Sequence, residues 1–202
     1  MNLPPKFIST IQNTFGDEGH TFLKALPESI AEASAQWNLT DVQPVPTLSY
    51  NFVAFAKSTF TAKDAKNAKG KLNLHELGAL GGSAQRDVVL KMCVPNREAR
   101  SEIAALRLFN GDGACRLLEH DEKKCWMLLE RLKPGVMLAT LDDDEEATRI
   151  AAEVMKRMWQ PAGARSSPKG DIVVPLHKNF IQLTNWFFGG FERMRKRFNG
   201  RT

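Results

Sequence analysis

Phe7, Ile8, Ile11 and Phe15 fall at helical spacing behind Pro4 and Pro5, and the pattern resumes at Phe22, Leu23, Leu26, Ile30 and Ala33. Two leading helices are expected. Pro27 interrupts the second and starts a new turn, because proline is tolerated in the first turn of a helix. Trp37 to Val45, with Pro44 and Pro46 at its end, reads as an edge strand and its exit. Ser49 to Phe55 is a short apolar, aromatic-rich stretch expected to be a strand, and Asp87 to Met92 is a second, with Val88, Val89 and Leu90 at its heart. Arg97 to Phe109 has Ala99, Ile103 and Leu106 on one side and reads as a helix, ended by Gly111 and Gly113. Cys115 to Glu119 and Cys125 to Glu130 form a hairpin pattern around the charged turn His120 to Lys124.

Beyond Pro134 and Gly135 the pattern is helical only. Asp142 is placed as an N-cap with Glu145 completing a capping box. The acids 143–146 complement the helix dipole, and Ala147, Ile150, Ala151, Val154 and Met158 form the stripe expected to be buried. Residues 160–171 are a Pro/Gly/Ser loop, and Phe180 to Phe198 reads as a last amphipathic helix, basic at its end and weakened at Gly189 and Gly190. Helices, then strands around one helix, then helices again make an α+β layout.

Ala56 to Arg86 does not fit. It holds the near-repeat Thr61-Ala62-Lys63-Asp64-Ala65-Lys66-Asn67-Ala68-Lys69, a composition too polar and repetitive for a packed strand. Two strands that should pair are thereby held apart by about 30 residues, a long connection for a compact domain. The segment reads as an insertion, with a turn of helix at 72–77, and a Lys-rich phosphate loop is the alternative. Such an insertion need not destroy the fold, since loop entropy grows slowly with length.

Composition narrows the classes. The 202 residues are 43% apolar and 25% charged, normal for a globular protein. No apolar run approaches the roughly 20 residues that span a bilayer, and residues 1–15 have no apolar core of a signal peptide. Cys93, Cys115 and Cys125 form no C-x-x-C pair and read as buried thiols of a cytoplasmic protein. The net charge of +5 could suggest nucleic acid, but it is local: 57–73 carries +4, 193–202 carries +5, and the remainder sums to −4. Nucleic-acid and membrane partners are not expected.

Lys91 closes the apolar strand 88–90, where its ammonium could meet phosphates; the plain alternative is a lysine snorkelling to solvent. Glu102, 11 residues on, could pair with it and fix it, with Glu98 one helical turn earlier as its rival. Both acids could instead pair locally with Arg97, Arg100 or Arg107, which is worth under about 1 kcal/mol.

The wording around these residues carries a resemblance. Leu48-Ser49-Tyr50-Asn51-Phe52-Val53, Val89-Leu90-Lys91 with Val94-Pro95-Asn96, and Ser101-Glu102-Ile103-Ala104-Ala105-Leu106-Arg107 come in order. So do 113–119, Leu128-Leu129-Glu130-Arg131-Leu132-Lys133-Pro134-Gly135, and Asp142 to Pro161. Together they resemble the aminoglycoside/hydroxyurea antibiotic resistance kinases, the branch with streptomycin 6-phosphotransferases, over nearly the whole chain outside 56–86.

The resemblance implies a protein-kinase-like N-terminal lobe over 1–132, an antiparallel sheet plus a helix with leading helices, and the start of a helical substrate and catalytic lobe over 133–202. It implies ATP and Mg as cofactors, an aminoglycoside-like small molecule with an alcohol acceptor, and a cytoplasmic enzyme. Lys91 would bind phosphate and Glu102 orient it; Ser49, Tyr50 and Asn51 would lie in the nucleotide loop. The backbone of Glu130, Arg131 and Leu132 would hold adenine.

The family's catalytic His-x-Asp loop is missing from the sequence. His20, His75, His120 and His177 are followed two positions on by Phe22, Leu77, Glu122 and Asn179. Asp17-Glu18-Gly19 precedes the lysine strand, in the wrong lobe for a metal-binding motif, and Asp142-Asp143-Asp144 is accounted for as a helix start. No catalytic or metal-binding residue is assigned. The expectation is a truncated, inactive kinase with an unpartnered apolar face at Trp186, Phe187 and Phe191 that makes it poorly soluble. The alternative is a non-enzymatic remnant or interaction module with a basic tail at 193–201.

Overall fold

A computed structural model describes residues 3–61 and 83–158, together with Glu192. The chain order is α1 (Pro5–Gln36), β1 (Leu39–Pro44), β2 (Phe52–Thr61), β3 (Ser83–Met92), α2 (Arg97–Phe109), β4 (Leu117–Asp121), β5 (Trp126–Glu130), a 3-10 turn (Leu138–Thr140) and α3 (Asp144–Met158). The five strands form one sheet in the order β1-β2-β3-β5-β4, every neighbouring pair antiparallel. This is an α+β, kinase-like N-terminal lobe.

Strand alternation divides the sheet into two unlike faces. Phe52, Ala54 and Ala56 on β2, Val88, Leu90 and Met92 on β3, and Trp126 and Leu128 on β5 are buried against Phe7, Ile11, Leu26 and Ala33 of α1. On the other face Met127 and Leu129 pack with Cys93, Cys125 and the inward stripe Ala99, Ile103 and Leu106 of α2. That helix matches its expected bounds. The Asn96 side chain caps it by accepting from Ala99 N at 2.7 Å, and Asn110 ends it in the left-handed region.

Several expected elements shift. The two leading helices meet at a kink at Gly16, between the two expected patterns, but Pro27 does not interrupt the second and lies inside α1. Gly16 adopts φ 55°, ψ −128°, a conformation that favours glycine. Three residues on, a Cβ at Gly19 would stand 2.5 Å from the Ile11 carbonyl oxygen, so the two halves of α1 close on a glycine.

β2 and β3 are ten residues each and overrun both ends of the segment read as an insertion: 56–61 and 83–86 are paired strand residues. The strands run on past Phe55 and begin before Asp87 because the alternation of inward and outward positions continues. Ala56 is buried, and so is Ser58, whose hydroxyl donates to the Trp37 carbonyl at 2.8 Å. The near-repeat and the turn at 72–77 lie outside the described residues.

The 115–130 hairpin is shorter and displaced, with its strands at 117–121 and 126–130. Cys115 is half-buried rather than buried. The cap of α3 is Asp143, which accepts from Glu146 N at 3.0 Å, one residue after the expected Asp142. The stripe expected to be buried on α3 is not: no residue of α3 is buried, and Val154 is exposed. The loop at 160–171, the helix at 180–198, the aromatic residues on it and the basic tail lie outside the described residues.

Candidate functional site

The face of the sheet that carries α2 is covered only in part, and the residues of interest lie on its open portion. Lys91 stands between Val53 on β2 and Met127 on β5. Because the even-numbered residues of β3 are locked under α1, the odd-numbered Lys91 projects to the α2 side. There its Nζ meets Glu102 Oε1 at 2.5 Å. Glu102 precedes the buried Ile103 on α2 and so sits at the edge of the packed stripe. Of the two acids considered, Glu102 makes the pair; Glu98 stays in the first turn of the helix.

Below Lys91 the open face is apolar. Val53, Val89 and Phe55 are half-buried, with Val89 and Phe55 paired across β2–β3. One step further Asp87 pairs with Lys57. At about 3.4 Å per strand residue, Lys91 and Asp87 stand roughly 14 Å apart along β3. A cation at one end and an apolar strip beyond it can take a flat, anionic, elongated ligand.

The two sequence segments assigned to nucleotide lie at opposite ends of this strip. Ser49, Tyr50 and Asn51 form the β1–β2 turn, held by the buried Leu48 and by Val45 N donating to Val53 O at 3.0 Å. Phe52 pairs with Met92, so the turn lies at the Lys91 end. Ser49 and Tyr50 are exposed, and Lys91 Nζ bonds Glu102 rather than either of them. Glu130 pairs with Val88 at the other end of the strip, and Arg131 and Leu132 follow it.

That second end holds residues the sequence reading passed over. Lys133 Nζ meets Asp87 Oδ2 at 2.6 Å, and the Arg131 guanidinium lies 4.0 Å from the centre of the Phe55 ring. Arg86 stands 3.8 Å from Glu130 Oε2, while Glu130 Oε1 accepts from Arg116 N at 2.7 Å. Lys57, Gln85, Arg86, Asp87, Arg131 and Lys133 line a cavity of about 450 Å³. The alternation at every second residue, Val53 and Phe55 on β2 and Asp87, Val89 and Lys91 on β3, was the available signal. A cavity of about 580 Å³ between α1 and Trp126 belongs to the opposite side and does not include Lys91.

The electrostatics follow the contacts. Lys133, by hydrogen bond and charge, holds the Asp87 carboxyl below its ordinary 3.8. Burial pushes the Cys93 thiol from 9.0 to about 12, against the pull of Lys91. Burial likewise raises the Cys115 and Cys125 thiols, so no thiol here is set up as a nucleophile. Among the described residues no three of His, Cys, Asp and Glu gather as metal ligands, so none is assigned to magnesium.

Comparison with known proteins gives the chain a family. The family described as aminoglycoside/hydroxyurea antibiotic resistance kinase matches residues 81–194. The chain belongs to this family. It is 31% identical over 175 residues to a streptomycin 6-kinase of Streptomyces glaucescens, covering 85% of this chain and 48% of that protein. A streptomycin 6-kinase of Streptomyces griseus is 28% identical over 168 residues, 82% of this chain and 47% of that protein. A hydroxyurea phosphotransferase of Kitasatospora aureofaciens is 28% identical over 170 residues, 82% of this chain and 43% of that protein. The chain spans about half the length of the curated relatives it matches. No solved structure matches it significantly. Among the described residues no helix is long and apolar enough to cross a membrane.

Proposed function

We propose that these 202 residues carry the nucleotide-binding part of a cytoplasmic ATP-dependent phosphotransferase. Its acceptor is a hydroxyl of an antibiotic-like molecule of the streptomycin or hydroxyurea class. The observation that carries this reading is the Lys91–Glu102 pair at the end of an open apolar strip, in a chain whose family is a kinase family. Lys91 would neutralise the α- and β-phosphates, and Glu102 would hold its ammonium in place, since phosphoryl transfer rests on positioning and charge stabilisation. Ser49, Tyr50 and Asn51 would cover the phosphates. Val53 and Val89 would take one face of the base, and the backbone of Glu130, Arg131 and Leu132 its edge. ATP supplies the transferable phosphoryl group, and the ligands for Mg lie outside the residues assigned here.

We assign 1–132 to this lobe, with the inserted residues beginning and ending in the β2–β3 hairpin, and 133–202 to the start of a helical substrate lobe. With no His-x-Asp in the sequence, these 202 residues alone bind nucleotide without turning it over. Titration with a fluorescent ATP analogue tests the reading. Saturable binding weakened about tenfold or more in Lys91→Met, the loss of roughly 1.4 kcal/mol, is expected. No binding by the unmodified chain, or equal binding by the variant, overturns it. Phosphorylation of streptomycin by the 202-residue protein would overturn the assignment of inactivity.

A further inference from the structure

The end of β5 and the linker after it are gripped at three points by the middle of the β2–β3 hairpin. Glu130 faces Arg86 at 3.8 Å, Arg131 stacks on Phe55 at 4.0 Å, and Lys133 bonds Asp87 at 2.6 Å. The gripping residues come from both strands and both faces: Arg86 lies on the α1 side, Asp87 and Phe55 on the open side. Glu130 is also tied to the start of β4 through Arg116 N. The side chains of 130, 131 and 133 are thus engaged, while Leu132 between them is exposed.

We infer that this clasp, centred on Asp87, positions the linker, and that Asp87, Arg86 and Phe55 are positioning residues for recognition of the base. The inference rests on the nucleotide reading above and deepens it. A base edge is read by backbone N–H and C=O groups, which cannot be tuned by side chain and must be placed by what holds the segment. Hydrogen-bonded recognition tolerates little displacement. Here the holding is done at the outer end of the strip, by a charge on β3 and a ring on β2. Phe55 continues the apolar strip of Val53 and Val89, so the Arg131 guanidinium on its face also closes the strip's outer end. A loosened clasp lets Arg131 and Leu132 move relative to Val89 without disturbing the Lys91–Glu102 pair.

Two measurements on the full chain test this. Amide hydrogen exchange across 130–133 reads the clasp directly, and the affinity ratio of ATP to GTP reads base recognition. Asp87→Asn is expected to speed exchange at 131–133 and to weaken ATP about threefold, the scale of one partly exposed ion pair, while moving GTP less, so the ratio falls. Asp87→Lys combined with Lys133→Asp is expected to return both readouts to near the unmodified values, as a merely destabilising change at either site would not. Unchanged exchange in Asp87→Asn overturns the clasp. Faster exchange with an unchanged ATP to GTP ratio overturns its role in base recognition. If the unmodified chain binds neither nucleotide, the nucleotide reading and with it the base-recognition role fail, while exchange still decides whether the clasp exists.

Discussion

Removing the two members of the Lys91–Glu102 pair should have unequal consequences. The Lys91 side chain is 17% exposed and the Glu102 side chain 37%. Glu102→Gln leaves an ammonium wedged between Val53 and Met127 without its carboxylate. The lost charge-assisted hydrogen bond, together with a poorly hydrated cation, amounts to about 2 kcal/mol. Lys91→Met leaves a carboxylate that already reaches water and puts an apolar chain of similar length among apolar neighbours. Its cost is under about 1 kcal/mol. Urea denaturation followed by far-ultraviolet circular dichroism should therefore place Glu102→Gln well below Lys91→Met in midpoint.

The double variant Lys91→Met/Glu102→Leu separates fold from function. It should recover to within about 1 kcal/mol of the unmodified chain, because the largely buried ammonium and its carboxylate partner are gone together. Nucleotide affinity should not recover if Lys91 is the cation that meets the phosphates, as proposed. A double variant that binds nucleotide normally would remove the pair from the site. Lys91→Met costing as much as Glu102→Gln would show that differential burial does not set the balance.

Ser58→Ala should cost about 1–2 kcal/mol, because the Trp37 carbonyl loses its 2.8 Å donor inside the protein; a urea midpoint equal to that of the unmodified chain would count against it. Gly19→Ala puts a methyl group 2.5 Å from the Ile11 carbonyl oxygen and should lower stability by about 1–3 kcal/mol, read by the same melt. Cys93 binds its proton more tightly folded than unfolded. The stability this gives is complete below pH 9 and is lost as pH rises towards 12, by up to about 4 kcal/mol at 1.36 kcal/mol per unit. Cys93→Ala should flatten that alkaline slope. Asp87 has the opposite sign. The support it gains from Lys133 is present above its ordinary 3.8 and fades as pH falls below that value, so protection from exchange at 131–133, taken relative to the intrinsic rate at each pH, should fall in acid before that of the sheet core.

The elements legible in the sequence were those with one dominant period. Arg97–Phe109 was readable because Ala99, Ile103 and Leu106 repeat at helical spacing, and the structure buries those three. The Lys91–Glu102 pairing was readable too, since the two residues stand on adjacent elements. Boundaries failed where a polar residue occupied an inward position with a private partner. Ser58 is buried because Trp37 offers a carbonyl 21 positions away, which local composition cannot reveal. The break between the two leading helical patterns was legible from their spacing, and the kink at Gly16 lies between them; what closes it, the approach of Gly19 to Ile11, was not. The linker contacts were illegible for the same reason: Asp87 and Lys133 are 46 residues apart, and each alone looks like a solvated charge.

The strand β3 shows why this site depends on a face it does not use. Val88, Leu90 and Met92 are fully buried beneath α1, and they alternate with Asp87, Val89 and Lys91, which face the open side. A slip of one residue in the pairing would exchange the two sets. Lys91 would enter a dry cluster with Phe7 and Ile11, and Asp87 would leave the linker. Burial of three large apolar chains against burial of two charges makes that slip prohibitive. The register that presents Lys91 to Glu102 and Asp87 to Lys133 is therefore fixed by the packing of α1 on the opposite face. A cavity made there, such as Leu90→Ala, should loosen the Lys91–Glu102 pair and the linker contacts together, although it touches neither.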